Sequence, residues 1–271
     1  MRHFLASVVC LAAATLIGCN QSSDLPESPT ESGAPTETGT PADETSTTDT
    51  QKTGMLRHAV FFAFKDESTP EQVQEVVDAF AALPSKIDAI TDFQYGVNNS
   101  PEGFNDGFTH CFLLTFADDA GRKTYLPHPA HKAFGDVLRP HMEDVFVIDY
   151  WGDPSQQHPE KALQHAVFFQ FKADADPAKI KEVEDAFAAL PGKIDAIKAF
   201  EWGQNNSPEK HDDGFTHAFL VTFDSEKGRE TYLPHLDHEA FVKLIGPVLE
   251  RPRVLDFWAL KPGDENAPAA E

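Results

Sequence analysis

Residues 56–151 of this chain recur at residues 163–258 with a constant offset of 107, without an insertion, and more than half of the paired positions are identical. HAVFFAFK (58–65) returns as HAVFFQFK (165–172), DAFAALP (78–84) at 185–191, NNSPE (98–102) at 205–209, DGFTH (106–110) at 213–217 and TYLPHPAH (124–131) as TYLPHLDH (231–238). A duplication on this scale fixes the architecture as two copies of one small unit. Residues 152–162 carry two prolines and two adjacent glutamines and read as a short linker.

Each copy reads as strand, helix, strand, strand, helix, strand. Leu56 to Phe64 alternates, placing His58, Val60, Phe62 and Phe64 on one side. Thr69 with Gln72 three residues later makes a capping box. Pro70 suits the first helical position, and Val73, Val76, Val77, Phe80 and Leu83 follow as a helical stripe. Phe93–Val97 and Phe108–Phe116 make two further strands, the latter with Phe108, His110, Phe112, Leu114 and Phe116 on one face. A helical region over 118–138 is interrupted at Pro127 and Pro129, and Val145–Trp151 closes the unit. This is the order of a ferredoxin-like α+β unit. One such sheet leaves a face and two edges unsatisfied, so the two copies are expected to pair as an internal pseudo-dimer, monomeric as a chain.

A formal net charge of -22 repels phosphate backbones and anionic lipid surfaces, which argues against nucleic acid as a partner. The apolar run from Phe4 to Ile17 suits a signal-peptide core. It ends in Leu16-Ile17-Gly18-Cys19, similar to a bacterial lipobox, so residues 1–19 read as a lipoprotein leader with Cys19 the acylated residue. Residues 20–54 are almost all Ser, Thr, Pro, Gly, Glu and Asp and form a solvated acidic tether. The expected location is the cell envelope, outer membrane by preference because Asn20 follows Cys19, with the membrane met through the lipid alone. Cys10 leaves with the leader and Cys19 is acylated, so Cys111 has no disulfide partner.

Chemistry concentrates in the TYLPH segments. His131 sits three residues into a helix starting near Pro129, where unpaired amides favour a neutral imidazole able to accept a proton. Tyr125, across the Pro127 break, can approach that ring and donate to a developing enolate or alkoxide. Tyr232 and His238 repeat the pair. The competing reading makes these residues hydrogen-bonded core or capping groups at a helix break. No carboxylate or cysteine falls where it would complete a metal site with His128 and His131, so neither metal nor cofactor is expected. Asp149 and Asp256, each before an aromatic residue of the last strand, are placed to hydrogen-bond a strand histidine.

HAVFFAFK, DGFTH and YLPHPAH, in this order and spacing, resemble the stress-responsive dimeric α+β barrel (Dabb) family across both copies. The resemblance implies a barrel made of two ferredoxin-like units, residues 55–152 and 163–261. One family member, a plant polyketide cyclase, closes a linear polyketide by aldol condensation. Matching its pattern puts catalytic roles on Tyr125 and His131, with Tyr232 and His238 in the second copy. It puts ligand-lining roles on His58, His110, Phe80 and Phe134, with His165 and His217 repeating the histidines. Phe80 and Phe187 stand where that enzyme has a pocket tyrosine, and Val242 stands for Gly135.

Three readings follow. The first is a lipid-anchored module that binds a small hydrophobic molecule, the second a cofactor-independent cyclase or lyase. The third is a structural interaction module with its barrel filled by Phe61, Phe62, Phe112 and their repeats. Because Val242, Leu236 and Gln170 replace Gly135, Pro129 and Ala63, the first pocket is expected to be the more open.

Overall fold

The alternation in LRHAVFFAF becomes β1 (Leu56–Phe64), the strand on which the first copy is assembled. The computed structural model describes residues 54–264; the leader, Cys19 and the acidic segment through residue 53 lie outside them. After β1 come α1 (Pro70–Ala81), β2 (Ile90–Val97), β3 (His110–Phe116), α2 (Asp119–Tyr125), α3 (Pro129–Leu138) and β4 (Met142–Trp151). The second copy repeats the order as β5 (Leu163–Phe171), α4 (Pro177–Ala188), β6 (Ala199–Gln204), β7 (His217–Phe223), α5 (Glu226–Tyr232), α6 (Leu236–Ile245) and β8 (Leu249–Trp258). The capping box at α1 forms: the Thr69 hydroxyl accepts from the Gln72 amide, and the Gln72 side chain accepts from the Thr69 amide at 2.9 Å. Asp176 caps α4 in its place, accepting from the Ala178 amide.

Each sheet is antiparallel, ordered β2-β3-β1-β4 in the first copy and β6-β7-β5-β8 in the second, which is the ferredoxin-like arrangement. The edges are closed by the other copy, giving an intrachain α+β barrel. The Val147 amide donates to the His211 carbonyl at 2.8 Å, and at the equivalent place the Val254 amide donates to Phe104 at 3.0 Å. Glycine is required where the edges meet. A Cβ on Gly96 would lie 2.5 Å from the Trp258 carbonyl, and one on Gly203 would lie 2.9 Å from the Tyr150 Cβ.

The strands therefore have two buried faces. One faces the helices, with Phe62, Phe80, Phe112 and Phe134 packed together in the first copy and Phe169, Phe187, Phe219 and Phe241 in the second. The other faces the barrel interior, filled by Phe61, Phe108, Phe146, Phe168, Phe215 and their aliphatic neighbours. A space of about 10 Å³ beside Phe61, Phe168 and Tyr150 holds no more than a water molecule. Phe62 and Phe112 thus lie under the helices, not in the barrel as expected from sequence. Phe108 also departs from expectation. β3 begins only at His110, and the preceding turn, with Asp106 and Gly107 at φ 48° and 85°, sends Phe108 to the barrel face.

Candidate functional site

Both expected helix breaks form, and they aim the two TYLPH segments back at the sheet. His128 is the N-cap of α3, its Nδ1 accepting from the Ala130 amide at 3.1 Å, so this ring is committed to the turn. Tyr125, the last residue of α2, is fully buried against Phe116, and its ring centroid lies 4.2 Å from that of His131. His131 Nδ1 lies 3.1 Å from the Leu126 carbonyl, which can only accept, so Nδ1 carries the proton. Burial lowers the pKa of this ring, leaving it neutral with a free lone pair on Nε2. His238 repeats the arrangement, with its centroid 4.3 Å from Tyr232 and its Nδ1 2.9 Å from the Leu233 carbonyl.

His58 reaches the same place from β1, edge-on to Tyr125 at 5.5 Å. Its Nδ1 donates to Asp149 Oδ1 at 2.7 Å, the strand-histidine bond anticipated for Asp149. Burial disfavours the charged ring, but the Asp149 charge and hydrogen bond, with Glu209 behind them, raise its pKa. The other Asp149 oxygen accepts from Arg122 at 2.6 Å. Burial acts to raise the Asp149 pKa, yet His58 and Arg122 together hold it low. His165, Asp256 and Arg229 form the same chain in the second copy, at 2.6 and 2.8 Å.

The loop of the other copy completes each site. Arg122 donates to both the backbone and side-chain oxygens of Asn206, and the Asn206 amide donates to the Asp149 carbonyl at 2.8 Å. Glu209 lies 3.8 Å from His58 Nδ1. Asn99 and Glu102 do the same for the second site, Glu102 at 3.8 Å from His165. Burial raises the Tyr125 pKa well above its ordinary value, and the charges of Glu209 and Asp149 add to the shift. Among the described residues, the Tyr125 and Tyr232 hydroxyls and one oxygen each of Glu102 and Glu209 are buried without a hydrogen-bond partner. The motifs of either copy taken alone do not point to Arg122, Asn206 and Glu209 as site residues. Their signal was the identity of NNSPE and of the arginine three residues before the tyrosine in both copies.

The remaining candidates lie elsewhere. Phe80 and Phe134 stack on each other at 4.3 Å within the helix-side core, so they shape the wall behind His131 rather than open a cavity. His110 pairs across from Phe62, four residues along β1 from His58 and thus about 13 Å away along the strand. Its Nδ1 lies 2.9 Å from Thr109 Oγ1, and burial lowers its pKa to about 4. His217, its counterpart, meets Glu184 at 3.0 Å at the floor of an open groove of about 720 Å³. The expected difference at 135 and 242 does not arise. Val242 and Leu236 are exposed on α6, and a Cβ on Gly135 would meet only the end of the Arg139 side chain.

A family model for the stress responsive A/B barrel domain (Dabb) matches residues 56–152 and 163–259. The chain belongs to the Dabb family. It is similar to the stress-response A/B barrel domain-containing protein HS1 of Arabidopsis thaliana, 33% identical over 97 residues that make up 36% of this chain and 89% of that protein. It is likewise similar to olivetolic acid cyclase of Cannabis sativa, 33% identical over 95 residues, 35% of this chain and 94% of the cyclase. A crystal structure of a candidate monooxygenase from Fusobacterium nucleatum covers 81% of this chain and 99% of its own, with TM-score 0.54 and 8% identity. At that identity the likeness concerns the fold alone. The two Dabb units make a stress-responsive-type A/B barrel.

Proposed function

We propose that this tandem Dabb protein binds a small, largely apolar molecule carrying a carbonyl or hydroxyl group at its Tyr–His sites. We further propose that the chain does so as a monomer held at the cell envelope through acylated Cys19. What supports binding is the enclosed Tyr125 hydroxyl, which has no protein partner although a buried hydroxyl left unpaired costs roughly 1–3 kcal/mol. The filled barrel does not oppose this reading, because the sites lie on the helix side of the sheet. A proton-transfer enzyme is the second reading, favoured by the neutral His131 with its free Nε2 beside a hydroxyl donor. In that case Nε2 takes a proton from the carbon next to a carbonyl, the Tyr125 O–H supports the enolate oxygen, and the proton returns to carbon.

Acetophenone tests both readings. Saturation-transfer NMR should show it bound, and Tyr125→Phe with Tyr232→Phe should weaken it about tenfold, the value of one hydrogen bond. Deuterium entering its methyl group, lost in His131→Ala with His238→Ala, would establish the enzyme reading; binding without exchange would leave the module reading. Absence of binding would sink both. For the envelope assignment, LIGC at 16–19 is the support. Cys19→Ser should move the protein from the membrane fraction to the soluble one, and a membrane-bound, normally processed variant would remove that assignment.

A further inference from the structure

We propose that Glu209 and Glu102 are ligand-binding carboxylates, each donated by one copy to the Tyr–His site of the other, and that the group they recognise is a neutral phenol- or enol-type hydroxyl. This rests on the binding reading above and adds the chemical class of the ligand.

The geometry is built twice. Asn205 Oδ1 accepts from the Asp149 amide at 3.1 Å and from the Ser207 amide at 3.0 Å, and Asn206 is tied to Asp149 and Arg122. These bonds fix the loop to the first copy and carry Glu209 to His58. Asn98 accepts from the Asp256 amide at 2.9 Å and from Ser100 at 3.1 Å, and brings Glu102 to His165 in the same way. Neither glutamate is needed to hold its histidine, because Asp149 and Asp256 already take the Nδ1 protons at 2.7 and 2.6 Å. Each glutamate instead places a buried oxygen with no donor in the site where the tyrosine hydroxyl also has no partner. Glu209 lies 3.8 Å from His58, whose ring is 5.5 Å from that of Tyr125, and Glu102 lies 3.8 Å from His165, whose ring is 5.6 Å from that of Tyr232, so each carboxylate and each tyrosine flank the same strand histidine.

A hydroxyl satisfies both groups at once. Its O–H donates to the glutamate, and its oxygen accepts from the tyrosine. A carboxylate or phenolate ligand would lack the donor and would face the charges of Glu209 and Asp149. An enol meets the requirement, so the glutamate would hold the enol form of a carbonyl compound.

The probe is 4-nitrophenol, whose absorbance distinguishes phenol from phenolate, added to the full chain with its second site blocked by Tyr232→Phe and His238→Ala. It should bind as the phenol, and Glu209→Gln should weaken it by roughly tenfold to a hundredfold, the range for a hydrogen bond to a charged group. Glu209→Asp, which withdraws the carboxylate but keeps its charge, should weaken it too. Circular dichroism checks that each variant is folded. If Tyr125→Phe weakens the probe while both Glu209 variants bind it normally, the glutamate assignment is overturned and the binding site stands. Binding as phenolate would overturn the ligand class. Failure of every variant to matter would remove the site itself.

Discussion

The two copies keep their Tyr–His sites almost alike but have become different where they meet inside the barrel. At one end Arg57 donates to both Glu201 oxygens, at 2.8 and 2.6 Å, with His158 of the linker 3.0 Å from the same carboxylate. At the equivalent end the residues are Gln164 and Gln94, joined by one hydrogen bond of 3.1 Å from the Gln164 amide to the Gln94 side-chain oxygen, with the Thr222 hydroxyl donating to Gln164 at 2.7 Å. Arg253 stands where the first copy has Phe146. It lies 4.4–4.6 Å over the rings of Phe146, Phe108 and Phe215 and pairs with both Asp106 and Asp213. Two first copies meeting each other would set Arg57 against Gln94. Two second copies would bury Glu201 without its arginine and oppose two Arg253 side chains. Duplication therefore allowed a pairing that distinguishes the halves, at a surface that would otherwise be self-complementary.

The largest expected effect comes from breaking this asymmetry. Arg57 and Glu201 expose 4% and 0% of their side chains, so Arg57→Ala strands a buried carboxylate and should cost about 3–5 kcal/mol. Gln164→Ala, at the matching position, leaves only neutral groups unpaired and should cost about 1–3 kcal/mol. Replacing Arg57 and Glu201 together by glutamine should be far milder than Arg57→Ala alone, because both charges leave. Urea unfolding of the three variants orders them. Equal losses for Arg57→Ala and Gln164→Ala would show that the ion pair adds nothing beyond the amide pair.

What could be read from sequence follows the same division. Strand and helix order, the capping box, the Pro127 break and the Tyr125–His131 approach are local or periodic, so one copy suffices to see them. Glu209 beside His58 is 151 residues distant in sequence and depends on which loop of which copy crosses the barrel edge. Period-two alternation says that His58 and His110 share a face, but not that pairing register separates them along it. Val242 does not narrow a pocket, because a glycine-to-valine change signals lost space only where the position faces inward, and this one faces solvent.

His110 and His217 sharpen the comparison by a smaller amount. Both rings have lowered pKa values through burial, but at His217 the Glu184 hydrogen bond and charge act in the opposite direction. The first copy has Val77 at the position of Glu184 and Val97 at that of Gln204, and Leu260, bonded to Tyr95, helps line the small space of about 10 Å³ beside His110. With a folded pKa of about 4 against an ordinary 6.5, His110 takes up its proton in the unfolded chain first. Stability is then complete above pH 6.5 and falls as pH drops toward 4, by about 3 kcal/mol in all. Asp149 and Asp256, with lowered pKa values, add their own loss in more acid solution, while His58 and His165, with raised ones, act in the opposite sense. The readout is therefore a difference. Between pH 6.5 and 4, His110→Gln should show a shallower decline in urea-unfolding free energy than the natural chain, and Val77→Glu should raise the His110 pKa seen by NMR. A His110→Gln profile parallel to that of the natural chain would mean that the ring is already as free to protonate in the folded state as in the unfolded one.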